Sequence, residues 1–402
     1  MLAFNFYRAN GLQCGNHQSV KKMLSSFKIL RPVGNTINTS KSFDNKNLFS
    51  PYNSTFYNSG TAALAASILA CKKLKPAIIS PEILVPAYTC PDLISAIVYA
   101  NAIPVLIDLE CASPNMSIEC INSTISENTI AIIAIRSFGL NENFEALADI
   151  TKKHEITLIE DSAQGFPSQN MSTYWHGDFI ILSFGRGKPV NLMGGGAILT
   201  KDEKLCNLLP IPLATSNSII KNIKYKLKLF LYNKSIRPFI YSLITKIPGI
   251  NIGQTIYKPL EEITHINTAT KYLLSSNFHS YKNKVNCQKK YQALLKKCND
   301  TLLVDLPTKL SHDMNQPLLR YPILIRNSST RNRIYKKLKP YGASIMYKSP
   351  LYIIENISLD IKNSNSNYPN ATLFAEQLLT LPTHEGVTQN SIKCIEEILS
   401  QI

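Results

Sequence analysis

The stretch Leu158–Thr200, LIEDSAQGFPSQNMSTYWHGDFIILSFGRGKPVNLMGGGAILT, decides how the rest of the chain is read. It opens with a short apolar run ending in Glu160 and Asp161, the pattern of a buried strand that delivers a carboxylate at its C-terminal end. A second apolar run, Phe179 to Phe184, delivers Ser183 and, five residues later, Lys188. Glycines at 185, 187, 194, 195 and 196 surround that lysine and suit a backbone that turns sharply or meets a ligand closely. A carboxylate and a lysine, each at the mouth of a strand, are the parts needed to hold pyridoxal phosphate. The lysine amine condenses with the cofactor's aldehyde, and the Asp keeps the pyridine nitrogen protonated so that the ring can accept electrons.

Upstream, Ser59-Gly60-Thr61-Ala62 stands directly before an alanine-rich helical pattern. Two readings fit it. Ser59 or Thr61 is a plain N-cap, or the unpaired first-turn amides and a hydroxyl form a cradle for a phosphate. Between this motif and Asp161, strand and helix signals alternate. Ile103 to Leu109 and Ile130 to Ile135 read as strands, Pro91 to Ala100 and Ala146 to His154 as helices. That order implies a parallel sheet covered by helices on both faces, with ligands beyond the strand C-termini where Asp161, Gln164 and Ser183 fall.

Glu160-Asp161-Ser162-Ala163-Gln164, then Ser183-Phe184-x-x-x-Lys188 and the glycine cluster, resembles the DegT-type (DegT/StrS) sugar aminotransferase family. The likeness covers residues 55–200 and, through a strand–helix–turn order followed by a helix and Leu381-Pro382-Thr383-His384-Glu385-Gly386, residues 318–400. It implies an α/β protein of the aspartate aminotransferase-like type (pyridoxal-phosphate transferase fold type I). A large domain holds a mainly parallel sheet between helices, and a smaller α+β domain follows it. The resemblance further implies that Lys188 is catalytic, that Gly60, Thr61 and Ser183 hold the cofactor phosphate, and that Asp161 meets the ring nitrogen. Gln164 would hydrogen-bond on the phenolic oxygen side. Cys90 stands where the family commonly stacks an aromatic side chain on the ring. The implied reaction moves an amino group, usually from glutamate, to a nucleotide-linked keto-sugar for surface polysaccharide, lipopolysaccharide or glycoconjugate synthesis. A homodimer with sites completed across the interface is implied too, with Gly253–Lys258 in place of the family's partner-reaching stretch and Gln254 or Tyr257 as its side chain. Relatives that dehydrate instead carry histidine at the lysine position, and this chain keeps Lys188. Other pyridoxal chemistry on a membrane-proximal acceptor, or a regulatory protein without turnover, are the alternatives.

Composition sets the outer bounds. The 402 residues suit an N-terminal arm (1–50), a large cofactor domain (51–265) and a small C-terminal domain (266–402). Nine scattered cysteines, none in a C-x-x-C pair, argue against a disulfide framework or a metal site and fit a reducing cytosol. The opening residues lack the pattern of a signal peptide, and no apolar stretch reaches the ~18 residues that span a bilayer. The net charge of +16 accompanies no nucleic-acid-binding motif. Much of that charge lies in a basic amphipathic insertion, about 215–250, where 221–246 carry seven Lys or Arg and 204–260 carry no acid. Two amphipathic helices divided near Pro238 are expected, packed on the protein or its partner, or lying on the inner face of an anionic membrane. His384 and His176 read as structural.

Overall fold

The computed structural model describes residues 29–40, 48–168, 171–214, 219–247, 257–282, 287–298 and 301–401. Among the described residues, ten strands form two sheets. The large one comprises β1 (Asn53–Tyr57), β2 (Glu82–Pro86), β3 (Ile103–Ile107), β4 (Thr129–Ile135), β5 (Thr157–Asp161), β6 (Phe179–Ser183) and β7 (Gly196–Thr200). Its order is β1-β7-β6-β5-β4-β2-β3. Strands β3, β2, β4, β5 and β6 are mutually parallel, and β7 alone runs against its neighbours. Strands β2, β4 and β5 are buried along their whole length. This is why they read as continuous apolar runs without alternation: both faces are covered by helices.

The covering helices include α1 (Gly60–Leu74), α2 (Asp92–Tyr99) and α3 (Phe144–Lys153). Helix α1 buries Ala62, Ala63, Ala65, Ala66 and Ala70 completely, so its small side chains let it lie close to the sheet. The basic segment forms α4 (Ile219–Ser235) and α5 (Pro238–Ile244), broken where the sequence predicts. Pro238 opens α5 because a first-turn residue needs no amide donor.

The small sheet, β8 (Leu303–Asp305), β9 (Arg320–Ile325) and β10 (Leu378–Pro382), is antiparallel in the order β10-β9-β8. The sequence pattern extends a helix from Ala371 to Leu379, but the helix ends at Gln377 and Leu378–Pro382 pairs with β9. All five residues of β10 are buried, and that pairing outweighs the intrinsic helix preference of leucine. The small unit is fastened at the C-terminal edge of the large sheet. Leu351 N donates to Ala87 O at 2.8 Å, Leu319 N to Phe138 O at 2.8 Å, and Ala371 N to Asp108 Oδ1 at 2.8 Å.

Candidate active site

At that edge the start of α1 meets the ends of β6 and β7. Ser59, extended, caps α1: its Oγ accepts from Ala62 N at 3.0 Å and its carbonyl from Ala63 N at 3.1 Å. The cap reading therefore holds for Ser59, and it leaves the amides of Gly60 and Thr61 without an intrahelical acceptor. Beneath them β7 passes so closely that a Cβ at Gly196 would stand 2.4 Å from the Ser59 carbonyl oxygen. Beside them lies β6, where a Cβ at Gly60 would stand 2.9 Å from Ser183 Oγ. A hydroxyl and the positive end of a 15-residue helix, whose first-turn amides have no intrahelical acceptor, thus lie side by side, an arrangement suited to a phosphate.

The register of the parallel strands places Asp161 next to β6, opposite Ile181. Asp161 is buried and its Oδ1 accepts from Ala163 N at 2.9 Å. Burial raises its carboxyl above the ordinary range, while the Lys188 charge and the Ala163 amide pull it back. Lys188 hangs on a turn in which its amide donates to Gly185 O at 3.3 Å and Gly187 takes a left-handed φ of +77°. The Lys188 charge acts on three side chains, Asp161, Asp92 and Cys90. Gln164 Oε1 accepts from Phe138 N at 3.2 Å, leaving the amide nitrogen as the group it can offer a ligand.

Cys90 sits beside Lys188 and Tyr347, its thiol pushed up to about 12 by burial and by the charge of Asp92, against the pull of Lys188. It is a neutral, polarisable contact surface, not a nucleophile. Tyr88 points away, as strand alternation requires, and its hydroxyl donates to Tyr347 O at 3.0 Å. The structure thus gathers Gly60, Thr61, Ser183, Asp161, Gln164, Cys90 and Lys188 at one sheet edge. Of the partner-reaching stretch, Gly253–Ile256 lie outside the described residues. Tyr257 packs on the core, and the charge of Lys258 acts on Asp92 of its own chain.

Three further residues belong to this edge. Asp92 opens α2 two residues after Cys90. Tyr347, half-buried and influenced by Cys90, Tyr88 and Asp161, arrives from the small unit. Arg320 opens β9 and lies within the fields of Tyr347, Tyr241 and Tyr88. A lone cation in a buried apolar strand was the one sequence signal for Arg320, and none marks Tyr347. A cleft of about 390 Å³ runs along the junction, lined by Pro189, Leu319, Thr383 and His384 among others.

The histidines are structural. His384 Nδ1 accepts from Gly386 N at 3.0 Å and its Nε2 donates to Arg31 O at 2.7 Å. Burial, with the Arg31 charge, lowers it to about 3, so the ring is neutral. His176 stacks on Phe144 at 5.2 Å while its amide donates to Glu160.

The family described as DegT/DnrJ/EryC1/StrS aminotransferases matches residues 48–212 and 277–400. Among relatives, GDP-perosamine synthase of Escherichia coli O157:H7 is 29% identical over 153 residues, 38% of this chain and 41% of that protein. The dTDP-4-dehydro-2,6-dideoxy-D-glucose 3-dehydratase of Saccharopolyspora spinosa is 30% identical over 158 residues, 38% of this chain and 34% of that one. The match thus spans well under half the length of these curated relatives. Among solved structures, NtdA of Bacillus subtilis with bound cofactor PMP superposes with a TM-score of 0.62 at 16% identity, covering 87% of this chain and 72% of that one. At that identity the likeness is one of fold.

Proposed function

The chain belongs to the DegT/DnrJ/EryC1/StrS aminotransferase family, and on that premise we propose that it is a pyridoxal-phosphate-dependent aminotransferase. The carrying observation is that Lys188 and Asp161 converge beside the Gly60–Ser183 cradle. Pyridoxal phosphate fits these residues: the cradle suits its phosphate, and Asp161, a buried carboxylate with one oxygen bonded to Ala163 N, suits a protonated ring nitrogen, whose charge would offset the cost of burying the carboxylate. When bound, the cofactor supplies an aldehyde that reacts with amines and a ring that holds the electron pair released beside the amine.

The protein's own residues do the rest. Gly60, Thr61 and Ser183 hold the phosphate and fix the ring's position. Asp161 and Gln164 orient it from two sides, and Cys90 covers a face. Lys188 Nζ accepts and returns the proton of the donor's α-carbon, as general base and then general acid. Lysine at 188 supports amino transfer over the dehydration named for the S. spinosa relative. The donor is glutamate and the acceptor a nucleotide-linked keto-sugar destined for surface polysaccharide. Residues 51–265 carry the cofactor and 266–402 close over it, in a homodimer. Given pyridoxal phosphate and L-glutamate, the protein should release 2-oxoglutarate up to one equivalent per site. No release with any amino-acid donor would refute the reading.

A second property rests on α4 and α5. One side of α4 packs inward through Leu229 and Tyr232. Its other side exposes Ile223, Leu227, Phe230 and Leu231, each more than half accessible, and Leu243 of α5 follows. Lys224 and Lys226 flank this outer stripe, and 204–260 hold no acid. A two-fold contact through this face would set lysines against lysines, whereas an anionic bilayer complements both the charge and the apolar stripe. No helix among the described residues is long and apolar enough to cross a membrane. We therefore read the pair as a peripheral membrane contact at the inner face, with the site facing the cytoplasm.

A further inference from the structure

Phe138 stands at φ +62° and ψ +1°, a left-handed backbone that a bulky side chain rarely takes. It is buried in the main core, 2% accessible, in the turn that follows β4. A residue held in this region costs free energy and persists only where its surroundings over-determine it. Here they do so from three sides.

The turn begins on the cofactor strand, where Arg136 N donates to Asp161 O at 3.0 Å. Phe138 N then donates to Gln164 Oε1 at 3.2 Å, and Phe138 O accepts from Leu319 N at 2.8 Å. Leu319 directly precedes β9. The Thr383 hydroxyl holds the same stretch, with contacts of 2.8 Å to Leu318 O and 2.9 Å to Leu319 O. The next residue closes the contact: a Cβ on Gly139 would stand 3.1 Å from Pro317 O and 3.5 Å from Gln164 O. The angle φ sets the direction of a residue's N–H against that of its C=O. At Phe138 the left-handed value turns the first to Gln164 while the second meets the small unit.

The consequence falls on Gln164. Its side-chain amide has an acceptor end and a donor end on one rigid plane. With Oε1 occupied by Phe138 N, Nε2 is the end left for a ligand; released, the amide can rotate and offer oxygen instead. The difference matters beside a phenolic oxygen, because a donor stabilises its anion and an acceptor repels it.

We propose that Phe138 is a positioning residue: its left-handed backbone fixes Gln164 with the amide nitrogen toward the cofactor ring and ties that orientation to the small unit through Leu319. This rests on the aminotransferase reading above, in which Gln164 meets the phenolic side of the ring.

The test titrates the visible absorbance of protein loaded with pyridoxal phosphate against pH. That band follows the proton the phenolic oxygen shares with the neighbouring nitrogen. A donor to the oxygen weakens this sharing and lowers the midpoint, so loss of the donor raises it. Gln164→Leu sets the full effect, an upward shift of about one pH unit. Phe138→Leu and Phe138→Ile remove the same ring and introduce isomeric side chains. They differ in branching at Cβ, which resists a positive φ. Phe138→Ile should raise the midpoint by most of the Gln164→Leu shift, and Phe138→Leu should keep the wild-type midpoint although its thermal midpoint falls. Leu and Ile variants that titrate alike overturn the proposal, since lost packing alone does not separate them. Should Phe138→Ile fail to fold, a crystal structure of loaded wild type decides. Phe138 N bonded to Gln164 Oε1 at positive φ is the expected result, and the absence of either overturns the assignment. Failure of wild type to take up pyridoxal phosphate refutes the aminotransferase reading and this proposal with it; uptake with no shift in Gln164→Leu refutes the positioning role alone.

Discussion

Gly60 and Ser183 meet so closely that a Cβ on Gly60 would stand 2.7 Å from the Ser183 Cβ. This contact brings the first turn of α1 to the end of β6, where we propose the cofactor phosphate binds.

Gly60→Ala should therefore open the cradle. Overpacking of this kind costs roughly 1–3 kcal/mol, so the protein should stay folded with a lowered thermal midpoint. Its affinity for pyridoxal phosphate should fall by about tenfold or more, measured by fluorescence titration. Wild-type cofactor affinity in a folded Gly60→Ala protein would remove Gly60 from the site.

Asp161→Asn keeps the shape of the side chain and removes its charge. Pre-set electrostatic groups of this kind are worth about 100- to 1000-fold in rate. The variant should still take up the cofactor while glutamate-dependent release of 2-oxoglutarate slows by at least that lower figure. A fall of less than threefold would show that Asp161 does not face the ring nitrogen.

These residues were legible in the sequence because each depends on local features: a strand that ends on Asp161, a glycine that lets Gly60 approach, a turn that carries Lys188. The parallel sheet was legible for the same reason, since β4 and β5 are buried on both faces and so are apolar throughout. What was not legible comes from across the chain. Tyr347 and Arg320 reach the site only because the small unit is fastened against Ala87, Phe138 and Asp108. Strand β10 was hidden because LLTLP has no alternation to set it apart from the helix before it. The outward stripe of α4 carries the same 3.6-residue period as an inward one, and the sequence alone does not say which faces the protein.

Membrane contact through α4 gives a salt-sensitive expectation. Lys228 is tied to the protein, its Nζ donating to Met193 O at 2.8 Å, so Lys224 and Lys226 are the informative pair. Basic residues near an anionic surface contribute about 1 kcal/mol each. Lys224→Glu with Lys226→Glu should then cut co-sedimentation with phosphatidylserine-containing vesicles roughly tenfold or more, while neutral vesicles bind neither protein well. Equal sedimentation of variant and wild type would exclude an electrostatic membrane role.

His384 sets an acid limit on stability. Its ring is held neutral, lowered to about 3 by burial first and the Arg31 charge second. The unfolded chain takes up this proton near the ordinary value of about 6.5. The stability contributed by the neutral ring is therefore complete above about 6.5 and is lost progressively as pH falls toward 3, with a slope of at most about 1.4 kcal/mol per pH unit. In urea unfolding, wild type should lose its advantage over His384→Gln between pH 6.5 and 4.5. A constant difference across that range would contradict the buried neutral ring.

The central claim, that Lys188 is the residue that receives the cofactor, is tested most directly by borohydride reduction of protein loaded with pyridoxal phosphate, followed by peptide mass spectrometry. The expected result is one stable cofactor adduct, located on the peptide containing Lys188, with the visible absorbance of the loaded protein lost in Lys188→Ala. An adduct on another lysine, or none in protein saturated with cofactor, would contradict the account.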